Sequence, residues 1–214
     1  MIIAIDGPAA AGKGTLTRKL AKYYNLALLD TGLIYRAVGL KAVLNGYPSD
    51  SEIAIQAAKS LDLADLKIDD IRGELAAKSA SLVAAIPAVR DVLLEFQREF
   101  AHNPPDGKLG SILDGRDIGT VVCPDAKFKL YITASLEVRT DRRYKELQDR
   151  GEEAIRSAVL DDIKTRDERD TARALSPLKP AGDAKIIDSS DFNASEVFSL
   201  AQEFIRSQMK KLKY

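Results

Sequence analysis

Residues 4–18 read AIDGPAAAGKGTLTR. An apolar run, Ile2 to Ile5, stops at Asp6. Gly, Pro and Ala follow, and Lys13 then opens a segment with apolar residues at helical spacing: Leu16, Leu20, Tyr23 and Tyr24. The pattern predicts a buried strand, a tight loop and a helix. Within it, Gly7-Pro8-Ala9-Ala10-Ala11-Gly12-Lys13 is G-x-x-x-x-G-K. Glycines let successive backbone N–H groups aim at phosphate oxygens, and the helix N-terminus adds its dipole. Lys13 reaches the β- and γ-phosphates. The usual motif then has Ser or Thr; here Gly14 intervenes, and Thr15 carries the hydroxyl expected to face Mg²⁺. The stretch from Gly7 to Thr15 is therefore the expected binding loop of a nucleoside triphosphate. It says nothing about the reaction. Lys13 is expected on a solvated loop, so Lys13→Ala should leave the protein folded.

The alternation continues along the chain. Short apolar strands are expected at Ala27–Leu29, Ser111–Leu113, Lys127–Ile132 and Lys185–Ile187, several ending at an aspartate (Asp30, Asp114, Asp188). Helical patterns cover Gly32–Leu44, Ser49 (as a capping box with Glu52) to about Leu61, Arg72–Ile86, Ala88–Ala101, Ser135–Asp149, Glu152–Asp170 and an amphipathic C-terminal stretch. About five strands alternating with helices predict an α/β protein with a parallel sheet. Ligands on such sheets sit beyond the carboxyl ends of the strands, where Asp6-Gly7, Asp30-Thr31 and Asp114-Gly115 fall.

The bulk numbers are those of an ordinary globular chain: 214 residues, 45% hydrophobic and 30% charged. Lys plus Arg balance Asp plus Glu at 32 each, so no basic surplus points to nucleic acid as a partner. One His and one Cys cannot build a zinc site from those ligands. The single Cys123, expected as a buried small hydrophobe, allows no internal disulfide. The N-terminal run lacks the basic and long apolar regions of a signal peptide, and no apolar run approaches membrane-spanning length. A cytoplasmic location is expected. A guanine-specific GTPase would carry N-K-x-D, and no Asn-Lys pair exists. Asp70-Ile-Arg-Gly73 matches D-x-x-G, but no apolar strand precedes it.

Four further blocks narrow the reading. GKGT resembles the nucleoside monophosphate kinases. LLDTGLIYR (28–36), SLVAAIPAVR (81–90), DGRDIGTVV (114–122) and RDERDTAR (166–173), followed by Pro177-Leu178, resemble segments of the bacterial cytidylate kinases in the same order. The resemblance implies a P-loop NTPase-like five-stranded sheet with helices on both faces. It implies a core of 1–32, 106–138 and 174–214, a helical monophosphate-binding insert over 33–105, and a short lid with flanking helices over 139–173. It implies transfer of the γ-phosphate of ATP to CMP or dCMP with Mg²⁺, by a monomer that touches neither nucleic acid nor membrane.

The residue chemistry is consistent with that expectation. A bound monophosphate carries about two negative charges and needs donors on several sides. Arg suits it because its planar fork pairs bidentately with phosphate. Tyr35 and Arg36 at one strand–helix junction, beside Thr31, and Arg116 at another are candidates to converge on it, with Arg36 and Arg116 also assigned to catalysis. Cytosine presents an N4 donor with N3 and O2 acceptors. A carboxylate facing N4 repels the O4 of uracil, a discrimination of about 1–3 kcal/mol by analogy with groove readout. The resemblance puts Asp117, Arg90 and Ser81 in these roles. It implies that Arg166 and Asp170 touch the sugar hydroxyls, and that Arg173 reaches phosphate or base; spacings of four and three put the three on one helix face. Arg139, Arg142, Arg143 and Arg150 form the expected lid. The family often carries a longer insert with a small sheet between Leu61 and Ser81; only Asp62–Arg72 remain here, so that sheet is expected to be reduced or missing.

Two rivals stay open at this point. A kinase of another small metabolite would keep the loop and need no base reader. A nucleotide-binding regulatory or RNA-associated protein would use the basic lid as its contact surface.

Overall fold

The computed structural model describes residues 1–47, 50–68 and 71–211. Strand β1 (Ile2–Asp6) runs into the loop, and α1 (Lys13–Tyr24) follows with its expected bounds. Then come β2 (Ala27–Asp30), α2 (Thr31–Leu44), α3 (Ser51–Lys59), α4 (Glu74–Val83), α5 (Pro87–His102), β3 (Ser111–Gly115), β4 (Phe128–Thr133), α6 (Leu136–Asp149), α7 (Arg156–Ala172), β5 (Lys185–Asp188) and α8 (Ala194–Lys211). The five strands form one sheet in the order β2-β3-β1-β4-β5. β1 pairs in parallel with β3 and β4, and β4 with β5, so the P-loop strand is central. The parallel α/β expectation holds.

The chain divides into two compact units, Met1–Leu28 with Pro104–Tyr214, and Leu29–Asn103. In the first, Ile3 and Ile5 of β1, Leu16 and Leu20 of α1, Leu130 and Ile132 of β4 and Val197, Ala201 and Ile205 of α8 form the core. Burial of such apolar surface is the main favourable term in folding. Cys123 is buried in this unit, as expected of a small hydrophobe.

The second unit is helical apart from the end of β2. Its tightest approach is between α2 and α4: a Cβ added at Gly39 would lie 2.6 Å from Ser79 Oγ and 2.7–2.8 Å from backbone atoms of Ser79 and Ala80. Only glycine lets the two helices meet there. Asp50 caps α3 by accepting from the Glu52 N–H at 2.8 Å; Ser49, the expected cap, lies outside the described residues, as does Asp70. α4 ends at Val83, three residues before the expected Ile86. Pro87 disfavours helical backbone at the residue before it, and Ile86 is extended (φ −87°, ψ 114°). Between Asp62 and Arg72 the described residues form a 3-10 turn, Leu63–Lys67, and no strand.

Two elements depart from the sequence pattern. Gly151 (φ 74°) ends the α6 segment, and α7 begins only at Arg156 rather than near Glu152. A π-helical turn, Ile118–Val122, follows β3 where no helix was expected. No helix among the described residues is long and apolar enough to cross a membrane.

Candidate nucleotide site

The loop between β1 and α1 is shaped by close approach. A Cβ on Gly7 (φ +147°) would lie 1.9 Å from the Ile132 carbonyl oxygen, so the chain passes hard against β4 and only glycine fits. Ala10 takes a left-handed backbone (φ 58°), as does Gly12 (φ 90°) at the N-cap of α1. Gly12 makes no side-chain capping bond, so the first turn of α1 presents its N–H groups and positive dipole end to an anion. Lys13 is not on a solvated loop, as the sequence suggested. It is the first residue of α1, only 6% exposed; its ammonium donates to the Pro8 carbonyl at 2.8 Å and lies 3.8 Å from Asp114. The correction has a simple cause: β1 and β3 are adjacent, which places the strand-end Asp114 beside the start of α1.

The loop is buttressed from α6 and β5. Arg139 is buried, donating from Nε to the Ala134 carbonyl at 3.0 Å and from a terminal nitrogen to the Ala9 carbonyl at 3.4 Å, and it pairs with Asp167 at 2.6 Å. Arg142 donates to the Ser189 hydroxyl at 2.9 Å and to its carbonyl at 2.7 Å, and Ser189 donates to the Ala11 carbonyl at 3.0 Å. Arg143 and Arg150 both pair with Glu146 on the same helix. Thus Arg139 and Arg142 contact the phosphate loop directly or through one residue, and Arg143 and Arg150 pair along α6.

Beyond β3, Arg116 donates from Nε to Asp170 at 2.9 Å. Asp170 is 2% exposed and also lies 2.5 Å from Arg173 and 4.0 Å from Arg166. Burial works to raise the Asp170 pKa, but the three guanidiniums, Arg116 foremost, outweigh it and hold the carboxyl below its ordinary range. Burial likewise opposes the charge on Arg116, and Asp170, then Asp114 and Asp167, more than restore it. Three guanidiniums are thereby gathered around one carboxylate, a cluster of planar donors of the kind that suits a phosphate. Arg173 sits one residue past α7, at its C-cap, rather than on the helix; its extended backbone (ψ 132°) still returns the side chain to Asp170. Asp117 heads the π-helical turn and is half-buried.

The second unit holds the other expected residues. Asp30 caps α2, accepting from the Gly32 N–H at 3.1 Å, and Thr31 is buried at the first helical position. The Arg90 guanidinium lies 5.7 Å from the centre of the Tyr35 ring, a cation–π distance. Arg36 donates to the Ile71 carbonyl at 3.2 Å. Ser81 is half-buried on α4.

Sequence reasoning noticed Asp6 and Asp114 only as strand ends, and gave no role to Asp167 or Ser189. Asp167 stands inside the RDERD block, and Ser189 directly follows the last strand; those positions were the available signals. One Asp167 oxygen, Oδ1, is buried without a hydrogen-bond partner, whereas Oδ2 pairs with Arg139.

A parallel sheet whose central strand feeds a glycine-cradled helix N-terminus with an inward lysine is the site of a P-loop enzyme acting on a nucleoside triphosphate. The family model described as cytidylate kinase matches residues 3–207. The cytidylate kinase of Paramagnetospirillum magneticum is 56% identical over 97% of this chain and 98% of its own. That of Rhodospirillum rubrum is 48% identical over 99% and 100%. An uncharacterized protein from Eubacterium ventriosum of known crystal structure shares the fold, with a TM-score of 0.56 at 17% identity over 97% of this chain and 98% of its own. The chain belongs to the cytidylate kinase family, and with it to the phosphotransferases.

Proposed function

We propose that this protein transfers the γ-phosphate of ATP to CMP or dCMP, giving ADP and CDP or dCDP. Full-length membership of the cytidylate kinase family carries the reading. The phosphate loop and the arginine-rich surroundings of Asp170 support it.

An acceptor phosphate oxygen attacks the γ-phosphorus, and the bond to the β–γ bridging oxygen breaks, with ADP leaving. The acceptor phosphate has a second pKa near 6, so at neutral pH it is already largely dianionic and needs no general base. Positioning and charge neutralisation therefore supply the rate. Gly7 to Thr15 hold the triphosphate of ATP, with Lys13 on its outer phosphates. Lys13, Arg36 and Arg116 neutralise the transferring group. Thr31, Tyr35, Arg36 and Arg116 bind the acceptor phosphate. Asp117 accepts from cytosine N4, and Ser81 and Arg90 donate to the base. Arg166 and Asp170 address the sugar, and Arg173 the phosphate or base. Arg139, Arg142, Arg143 and Arg150 belong to the lid segment that covers ATP.

Mg²⁺ is the natural counter-ion. No group of three or more His, Cys, Asp or Glu side chains able to hold a metal occurs among the described residues. An exposed Thr15 hydroxyl in the first turn of α1 fits an ion bound mainly through phosphate oxygens and water. With Thr15 as its protein contact, such an ion would supply charge neutralisation on the triphosphate. The enzyme acts as a monomer in the cytoplasm.

ADP release with ATP, Mg²⁺ and a panel of CMP, dCMP, UMP, AMP and GMP tests the reading. Turnover with CMP and dCMP alone is expected. Comparable turnover with UMP would make it a broader pyrimidine monophosphate kinase, and AMP-selective turnover would refute it.

A further inference from the structure

Asp6 has no role in the chemistry above, yet it is a buried carboxylate, 3% exposed, at the carboxyl end of the central strand. An ionised group there survives only if its lone pairs are met. Asp6 accepts the backbone N–H of Ile118 at 2.7 Å and of Gly119 at 2.8 Å. These are the first two N–H groups of the π-helical turn Ile118–Val122. Such orphan donors are ordinarily satisfied by the N-cap residue's own side chain. Here the N-cap is Asp117, and its side chain makes no capping bond. The cap comes instead from a strand more than a hundred residues away in sequence.

Gly119 makes the arrangement tight. A Cβ there would lie 3.3 Å from the second Asp6 oxygen and 3.2 Å from the stem of Lys129. The residue after Asp6 is Gly7, the first of the phosphate loop, and the residues before Ile118 are Arg116 and Asp117. One carboxylate thus joins the backbone of the donor loop to that of the acceptor loop.

We propose that Asp6 is a positioning residue for the acceptor: by capping the π-helical turn from β1, it holds the backbone that presents Arg116 and Asp117 and releases Asp117 from capping it. The inference rests on the kinase reading above and extends it.

The groups that face Asp6 set its titration. Burial raises its pKa most, the two N–H bonds lower it, Asp117 raises it and Lys13 lowers it, for a value of about 6. Tyr131, its neighbour on β4, is in turn pushed up, by burial first and then by Asp6. Lys129, also on β4, has its ammonium bound to the Pro124 carbonyl and to Asp183.

Asp6→Asn tests the proposal. The amide keeps the shape but offers one acceptor oxygen, and its NH₂ faces the second N–H. At pH 8 the KM for CMP should rise roughly tenfold, with a smaller change for ATP, because a buried donor has lost its partner. The ratio of CMP KM between variant and wild type should approach one as pH falls toward 5, since protonated Asp6 resembles the amide; titration of CMP itself cancels in that ratio. A ratio flat with pH, or equal rises in both KM values, would overturn the proposal. If Asp6→Asn does not fold, NMR of the wild type decides. The Asp6 carboxyl carbon and the Ile118 and Gly119 amide protons should titrate together, and amides that ignore the Asp6 midpoint overturn it. The wild-type acceptor panel tests the CMP reading separately, so the two failures are distinguishable.

Discussion

The two units of this chain make their tightest interior contacts in opposite ways. In the unit of Met1–Leu28 and Pro104–Tyr214, charged side chains are taken into the interior and paired: Lys13 beside Asp114, Arg139 with Asp167, Arg116 with Asp170. In the unit of Leu29–Asn103, close packing is achieved with small residues, Gly39 against Ser79 and Ala80 above all. Breaking a buried pair strands a charge, whereas enlarging a small residue drives backbones apart. The first unit is therefore vulnerable to loss of charge and the second to gain of volume.

Substitutions can break that contrast, beginning with the largest effect. Lys13→Ala should lower kcat roughly 10²- to 10³-fold, the scale for removing one donor to a developing charge. Because Lys13 is buried beside Asp114, it should also lower the melting temperature. Normal turnover would sink the phosphate-loop assignment. Gly39→Val, with no charge altered, should destabilise the protein by about 1–3 kcal/mol, measured by chemical denaturation. An unchanged midpoint would mean that α2 and α4 can separate freely. Arg90→Ala removes the partner of Tyr35 and should raise the KM for CMP about tenfold while sparing that for ATP; equal effects would remove Arg90 from the base site.

The smallest effect is a linkage at Asp6. Its folded pKa of about 6 lies above the ordinary carboxylate value of 3.8, so between those values the folded state holds the extra proton. The Asp6 contribution to stability is full below the unfolded pKa and is lost as pH rises through 6. From pH 5 to pH 8 the wild type should lose about 1 kcal/mol relative to Asp6→Asn. A pH-independent difference between the two would mean that Asp6 does not titrate in this range. The direction is that of a group kept ionised at some cost to stability.

Much of the architecture was legible because local rules carried it. Apolar runs, several of them ending at aspartate, marked the strands, Gly12-Lys13 marked the start of α1, and Pro87 separated α4 from α5. The π-helical turn Ile118–Val122 was illegible: its N-cap residue does not cap it, and its actual cap, Asp6, is remote in sequence. The same holds for the candidate site. The blocks named Arg116, Asp170 and Arg173 as residues, but not that three guanidiniums share one carboxylate.

By itself, the sequence determined the order of the strands and α-helices, the phosphate loop and the family, since each of these is carried by residues within a few positions of one another. Only the tertiary structure decided that Lys13 is buried, that Arg139 and Ser189 meet the loop carbonyls, and that Asp6 caps a turn on another strand's loop. Those contacts are created by parallel strand pairing, which brings the carboxyl ends of β1, β3, β4 and β5 to one edge of the sheet, and no local pattern encodes which side chains then face each other.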